Sequence, residues 1–163
     1  KRAWKRFQLM EWFKDLRRNN ILNQVGEGLI GDFGVMVLLD FPFVSELETL
    51  DLKNNGLTDE AVIALSQSKR FNSLVSLNLS QTNITYAGAQ ALGRPQNLKR
   101  LKTLNLNFNR IGDEGAQAIA ESPSLENLES LKLGQNKIGT EGARALNESE
   151  NLKNLIHPIF GFY

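Results

Sequence analysis

Leucines stand at Leu47, Leu74, Leu101, Leu128 and Leu155, each 27 residues after the last. A second slot runs through Leu50, Leu77, Leu104 and Leu131 and ends in Pro158, and a third runs through Leu52, Leu79, Leu106 and Leu133 and ends in Phe160. Leu57, Ile84, Ile111 and Ile138 follow at the same period. Four units result, residues 44–70, 71–97, 98–124 and 125–151, with a fifth cut short. Each has two rhythms. LKTLNL (101–106) alternates apolar and polar residues, as a short strand with one buried face does. DEGAQAIAES (113–122) places Gly115, Ala116, Ile119 and Ala120 at helical spacing. The period therefore predicts strand and helix in alternation. A single unit cannot bury its own apolar face, so neighbours must stack into a continuous core. Gly88, Gly115 and Gly142, with Ala64, Ala91, Ala118 and Ala145, keep the helices thin enough to lie close together.

The LxxLxLxxN stretches and the IGxEGAxAL stretches after them resemble the leucine-rich-repeat family in its longer, ribonuclease-inhibitor-like form. The GAxAL segments at 88–92 and 142–146, with 115–119 similar, resemble the GALA-type repeats of bacterial effector proteins. The resemblance covers roughly residues 30–160 and implies an α/β solenoid, with a parallel β-sheet on the concave face and helices on the convex face. It also implies a buried asparagine in each unit that donates to backbone carbonyls of the turn. That slot holds Asn55, Asn109 and Asn136, but Thr82 in the second unit. Threonine has one donor where an amide has two, so the ladder should be weaker there, with Asn83 next door as a candidate substitute.

The ends depart from the pattern. Residues 29–42 fit the helical half of a unit and 21–43 form a degenerate first repeat, while the last copy stops in mid-strand at IHPIFGFY. Residues 1–20 carry Lys1, Arg2, Lys5, Arg6, Lys14, Arg17 and Arg18 against only Glu11 and Asp15. Leu9, Trp12, Phe13 and Leu16, extended by Trp4, give this stretch the apolar stripe of an amphipathic helix. Its expected role is to cap the open end of the solenoid; contact with an anionic membrane or a partner's groove is the lesser reading. The whole chain has a net charge of +1 and no continuous basic stripe, which argues against nucleic acid as a partner.

With no cysteine, thiolate zinc sites, disulfides and thiol catalysis are excluded. The missing disulfides and the lack of a signal-peptide core lead to an expected cytoplasmic location, in a host cell if the chain is a secreted effector. The glycines Gly26, Gly28 and Gly31 match G-x-G-x-x-G, but the last two fall in turn slots of the repeat and no strong strand precedes them. No cofactor is therefore expected. Glycosylation sequons at Asn78, Asn83 and Asn147 arise freely from asparagine-rich repeats. His157 is the single histidine and has no identifiable catalytic or metal-binding partners. The pairs Asp59/Glu60 and Asp113/Glu114 recur at helix starts, where carboxylates suit the helix dipole better than acid–base chemistry. Neither an enzyme nor a metal site is expected.

A protein partner is, bound by a scaffold on its concave face; the alternatives are a membrane-recruited adaptor using the basic N-terminal helix and a regulator or inhibitor of an enzyme. The residues flanking each central leucine should point outward on the concave face: Thr49, Ser76, Thr103, Ser130 and His157 in one column, Asp51, Asn78, Asn105, Lys132 and Ile159 in the next. Lys53, Ser80, Asn107 and Gly134 lie just beyond, followed by Asn54, Gln81, Phe108 and Gln135. Such small polar side chains suit hydrogen-bonded protein recognition; phosphate binding would show stacked Arg and Lys. The expected partner-binding set is Thr49, Asp51, Lys53, Ser76, Asn78, Thr103, Asn105, Asn107, Phe108, Ser130, Lys132 and Gln135. Phe108 is the anomaly among the four complete units, because its slot holds Asn54, Gln81 and Gln135 in the other three. An aromatic that the repeat does not require is a candidate hot spot.

Overall fold

The alternating stretch of each unit forms a short strand at the same slot: β1 (Thr49–Asp51), β2 (Ser76–Asn78), β3 (Thr103–Asn105) and β4 (Ser130–Lys132). The computed structural model describes residues 30–94 and 98–156. The strands pair in parallel and in chain order, with Thr49 beside Ser76, Ser76 beside Thr103 and Thr103 beside Ser130. The register is thus the sequence period itself. Backbone bonds extend each ladder past the strands: Leu52, Leu79 and Leu106 donate to the carbonyls of Asn78, Asn105 and Lys132 in the following unit.

Five helices alternate with the strands among the described residues: α1 (Gly31–Leu39), α2 (Asp59–Gln67), α3 (Tyr86–Gly93), α4 (Gly112–Ala120) and α5 (Thr140–Asn147). Each packs on the next. Between the helix row and the sheet lies one core, built from the leucine slots together with Val44, Phe71, Leu98, Leu125 and Leu152. Close approach explains the small residues. A Cβ on Gly115 would stand 3.1 Å from the Tyr86 Cα and 3.2 Å from the Ala89 Cβ of the preceding helix. The degenerate first repeat is represented by α1 and a 3-10 helix, Pro42–Glu46. Residues 1–20, for which a capping helix is expected, residues 21–29, and the truncated last copy from His157 onward lie outside the described residues.

Asparagine ladders stitch the turns. Asn109 Nδ2 donates to the carbonyls of Leu106 in its own unit and Leu79 in the unit before, and its Oδ1 accepts from Ile84 N–H. Asn136 repeats this with Leu133, Leu106 and Ile111. Thr82 breaks the series as its chemistry requires. Its hydroxyl meets Leu79 O and Asn109 Oδ1, with no donor left to cross back to the first unit. Asn83 does not substitute: it is exposed, and the contact it makes to Leu57 is through its backbone N–H. Thr82→Asn should therefore restore the bridge and raise the unfolding free energy by about 1 kcal/mol. Urea denaturation measures this, and an unchanged or lower midpoint counts against the ladder as the missing element.

A second ladder runs through the helix starts. Asp59 Oδ1 accepts from the N–H groups of Thr85 and Gly88, and Asp113 Oδ1 from those of Gly139 and Gly142. Asp32 holds Thr58 in the same way. These carboxylates cap the helix of the next unit, so the expected favourable interaction with the dipole of their own helix is only part of their role. Tyr86 occupies the aspartate slot between Asp59 and Asp113. With no carboxylate to hold it extended, Gly112 swings to φ +66° and donates its N–H to Asn136 O instead.

Candidate functional site

The positions flanking the buried central leucines form the outward surface of the sheet. Thr49, Lys53, Lys132 and Gln135 are exposed, while Asp51, Ser76, Asn78, Thr103, Asn105, Asn107 and Ser130 are partly buried beside their neighbours. Ser80 is buried, and its hydroxyl donates to Asn78 Oδ1. Parallel pairing stacks these residues in columns, so the expected set does share one face.

Local hydrogen bonds decide what that face presents. Asp51, Asn78 and Asn105 each accept, through Oδ1, the N–H two residues on, from Lys53, Ser80 and Asn107. This is the Asx turn available to short acidic and amide side chains. The acceptor oxygens of Asn78 and Asn105 are thereby used internally, leaving their NH2 groups as the outward chemistry. Lys132 has no acceptor to offer in this slot. Gly134 N–H turns instead to Asn107 Oδ1 of the previous unit, which makes Asn107 partly structural.

The turn after the strands explains the polar column that Phe108 interrupts. Asn54, Gln81, Phe108 and Gln135 have φ of 53°, 56°, 58° and 58°, all in the left-handed region. Side chains with a Cβ pay roughly 1–2 kcal/mol there, and asparagine and glycine least. A bulky aromatic is among the poorest choices. Phe108 is nonetheless present, with 54% of its surface exposed. The sequence flagged Phe108 as odd, but its strained backbone was visible only in the structure. The signal was the absence of β-branched residues from the slot.

Among the described residues, no group of three His, Asp or Glu side chains could hold a metal ion, and no helix is long and apolar enough to cross a membrane.

The Leucine Rich repeat family model matches residues 46–66, 72–93, 98–120 and 124–146. No curated protein matches the sequence significantly. Among solved structures, the chain is similar to the actin-binding site 2 of leiomodin-1, with 21% identity, a TM-score of 0.59, and 72% of this chain covered against 74% of that one. It also matches an internalin of Listeria monocytogenes at 18% identity and a TM-score of 0.30, over 83% of this chain and 59% of that one.

Proposed function

Because the chain belongs to the leucine-rich-repeat family, we propose that it is a scaffold that binds a partner protein across the outward face of β1–β4, with Phe108 as the anchor. The observation that carries this is Phe108 itself. It occupies a left-handed backbone position that the other three complete units fill with Asn or Gln, and it leaves more than half its surface in water. A strained backbone at a half-exposed aromatic side chain points to function. Around it lie hydroxyl, amide and ammonium groups, which suit hydrogen-bonded recognition of a protein surface. That the solved neighbour leiomodin-1 is described by an actin-binding site is consistent with the reading. The setting as a bacterial effector in a host cytoplasm rests on the GAxAL segments alone.

The test is affinity capture from native cells with the full chain. Thr103→Glu, on the sheet face, should reduce partner recovery about tenfold or more. Gln90→Glu, on the exposed side of α3, should leave recovery unchanged. Equal recovery by both variants sinks the proposal.

A further inference from the structure

The sheet-facing halves of the four units differ sharply in charge. Residues 44–56 carry Glu46, Glu48 and Asp51 against Lys53; residues 71–83 carry no charge; residues 125–137 balance Glu126 and Glu129 with Lys132 and Lys137. Residues 98–110 carry Lys99, Arg100, Lys102 and Arg110 with no acidic residue. This is the same segment that holds the strained, exposed Phe108. All four cations are exposed. Lys102 is in an ion pair with Glu129 at 2.7 Å, whereas Lys99, Arg100 and Arg110 have no carboxylate within ion-pair reach among the described residues. Asp113, the nearest acid along the chain after Arg110, is already committed to the Gly139 and Gly142 N–H groups.

The positive charge is divided between the two ends of β3. At the end where the strands begin, Lys99, Arg100 and Lys102 line an open groove of about 600 Å³ with Val75, Asn127, Asn154 and the exposed Ile156; Glu129 also lines it, its carboxylate paired with Lys102, which leaves Lys99 and Arg100 as the available cations. At the other end stand Phe108 and Arg110. Between them, β3 presents Thr103 and the free amide NH2 of Asn105. Lys102 and Phe108 are at most roughly 20 Å apart at about 3.3 Å per residue, a span that an extended peptide of similar length crosses.

We propose that the strand half of the third unit is a docking band for an acidic, extended segment of a partner protein. Carboxylates at one end of that segment meet Lys99 and Arg100, and those at the other end meet Arg110. An apolar side chain beside them packs on Phe108, and backbone carbonyls accept from Asn105. Guanidinium groups favour such carboxylates through paired, charge-assisted hydrogen bonds. The inference rests on the sheet face being a binding surface and gives its partner a chemistry.

Two labelled peptides test it on the full chain by fluorescence anisotropy. One has a Glu-Asp pair at each end, a leucine beside the second pair and a neutral polar centre; the other has Gln and Asn in place of the acids. The acidic peptide should bind, and the neutral one should bind at least about tenfold more weakly. Lys99→Glu with Arg100→Glu, Arg110→Glu alone, and Phe108→Ala should each weaken the acidic peptide about tenfold. Rising salt should weaken it further. Equal binding of both peptides overturns the inference, as does indifference to the charge reversals or no binding of the acidic peptide at millimolar concentration. Tighter binding of a single-stranded RNA oligomer through the same arginines overturns it as well. If the peptides fail while Thr103→Glu still reduces capture of the cellular partner, the inference falls and the scaffold reading stands. If capture also ignores the sheet face, both fall.

Discussion

Asn109→Ala is expected to lower the unfolding free energy by about 3 kcal/mol. Its side chain satisfies three backbone groups in a buried turn, the carbonyls of Leu79 and Leu106 and the N–H of Ile84, at 2.9, 3.0 and 3.0 Å. It also accepts the Thr82 hydroxyl at 2.7 Å. Alanine removes these bonds and orphans the Ile84 N–H, while Leu79 O keeps the Thr82 hydroxyl and Leu106 O keeps Asn136 Nδ2. The orphaned buried group costs about 1–3 kcal/mol and each further lost hydrogen bond about 1 kcal/mol. Because each unit of a solenoid touches only its neighbours, the loss falls on the joint between the second and third units. Urea unfolding should therefore become less cooperative as well as earlier, with a lower m-value. Thr82→Ala, which removes one hydroxyl from the same joint, should cost only about 1 kcal/mol. A loss for Asn109→Ala no larger than that for Thr82→Ala would remove the ladder from its place in the stability of the fold.

Phe108→Asn is expected to move stability and binding in opposite directions. Asparagine is at ease at φ near 58°, so the substitution should raise unfolding stability by about 1 kcal/mol. It also removes the exposed ring, and binding of the partner should weaken by about 1–3 kcal/mol. Phe108→Ala separates the two effects. Alanine still carries a Cβ in the left-handed region, so it should weaken binding similarly with little gain in stability. Few substitutions stabilise a fold and disable it together, and those that do identify a residue kept for function.

Much of the fold could be read from the sequence because the period and the register are the same thing. Once Leu50, Leu77, Leu104 and Leu131 are aligned, the pairing of Thr49 with Ser76 and onward follows. The weak joint at Thr82 was legible too, since it depends on counting donors. What escaped were contacts between side chains and the next unit's backbone. Asp59 and Asp113 look like local helix caps in sequence, yet they reach forward to Gly88 and Gly142. The gap at Tyr86 and the turned Gly112 follow only once that reach is known. At the candidate site, sequence grouped the columns but did not show their polarity. The Asx turns that leave Asn78 and Asn105 with outward NH2 groups depend on dihedral angles. The charge asymmetry of residues 98–110 lay in plain sight and acquired meaning when the structure placed Lys99, Arg100 and Arg110 at the two ends of one strand.

The most direct test of the binding face is a paired measurement on Phe108→Asn: the urea midpoint of the full chain, and the Kd for the partner that the wild-type chain captures. The midpoint should rise while the Kd weakens about tenfold or more. A variant that binds as tightly as wild type, or that loses affinity only in step with lost stability, contradicts the assignment of Phe108 as the anchor of a protein-binding surface.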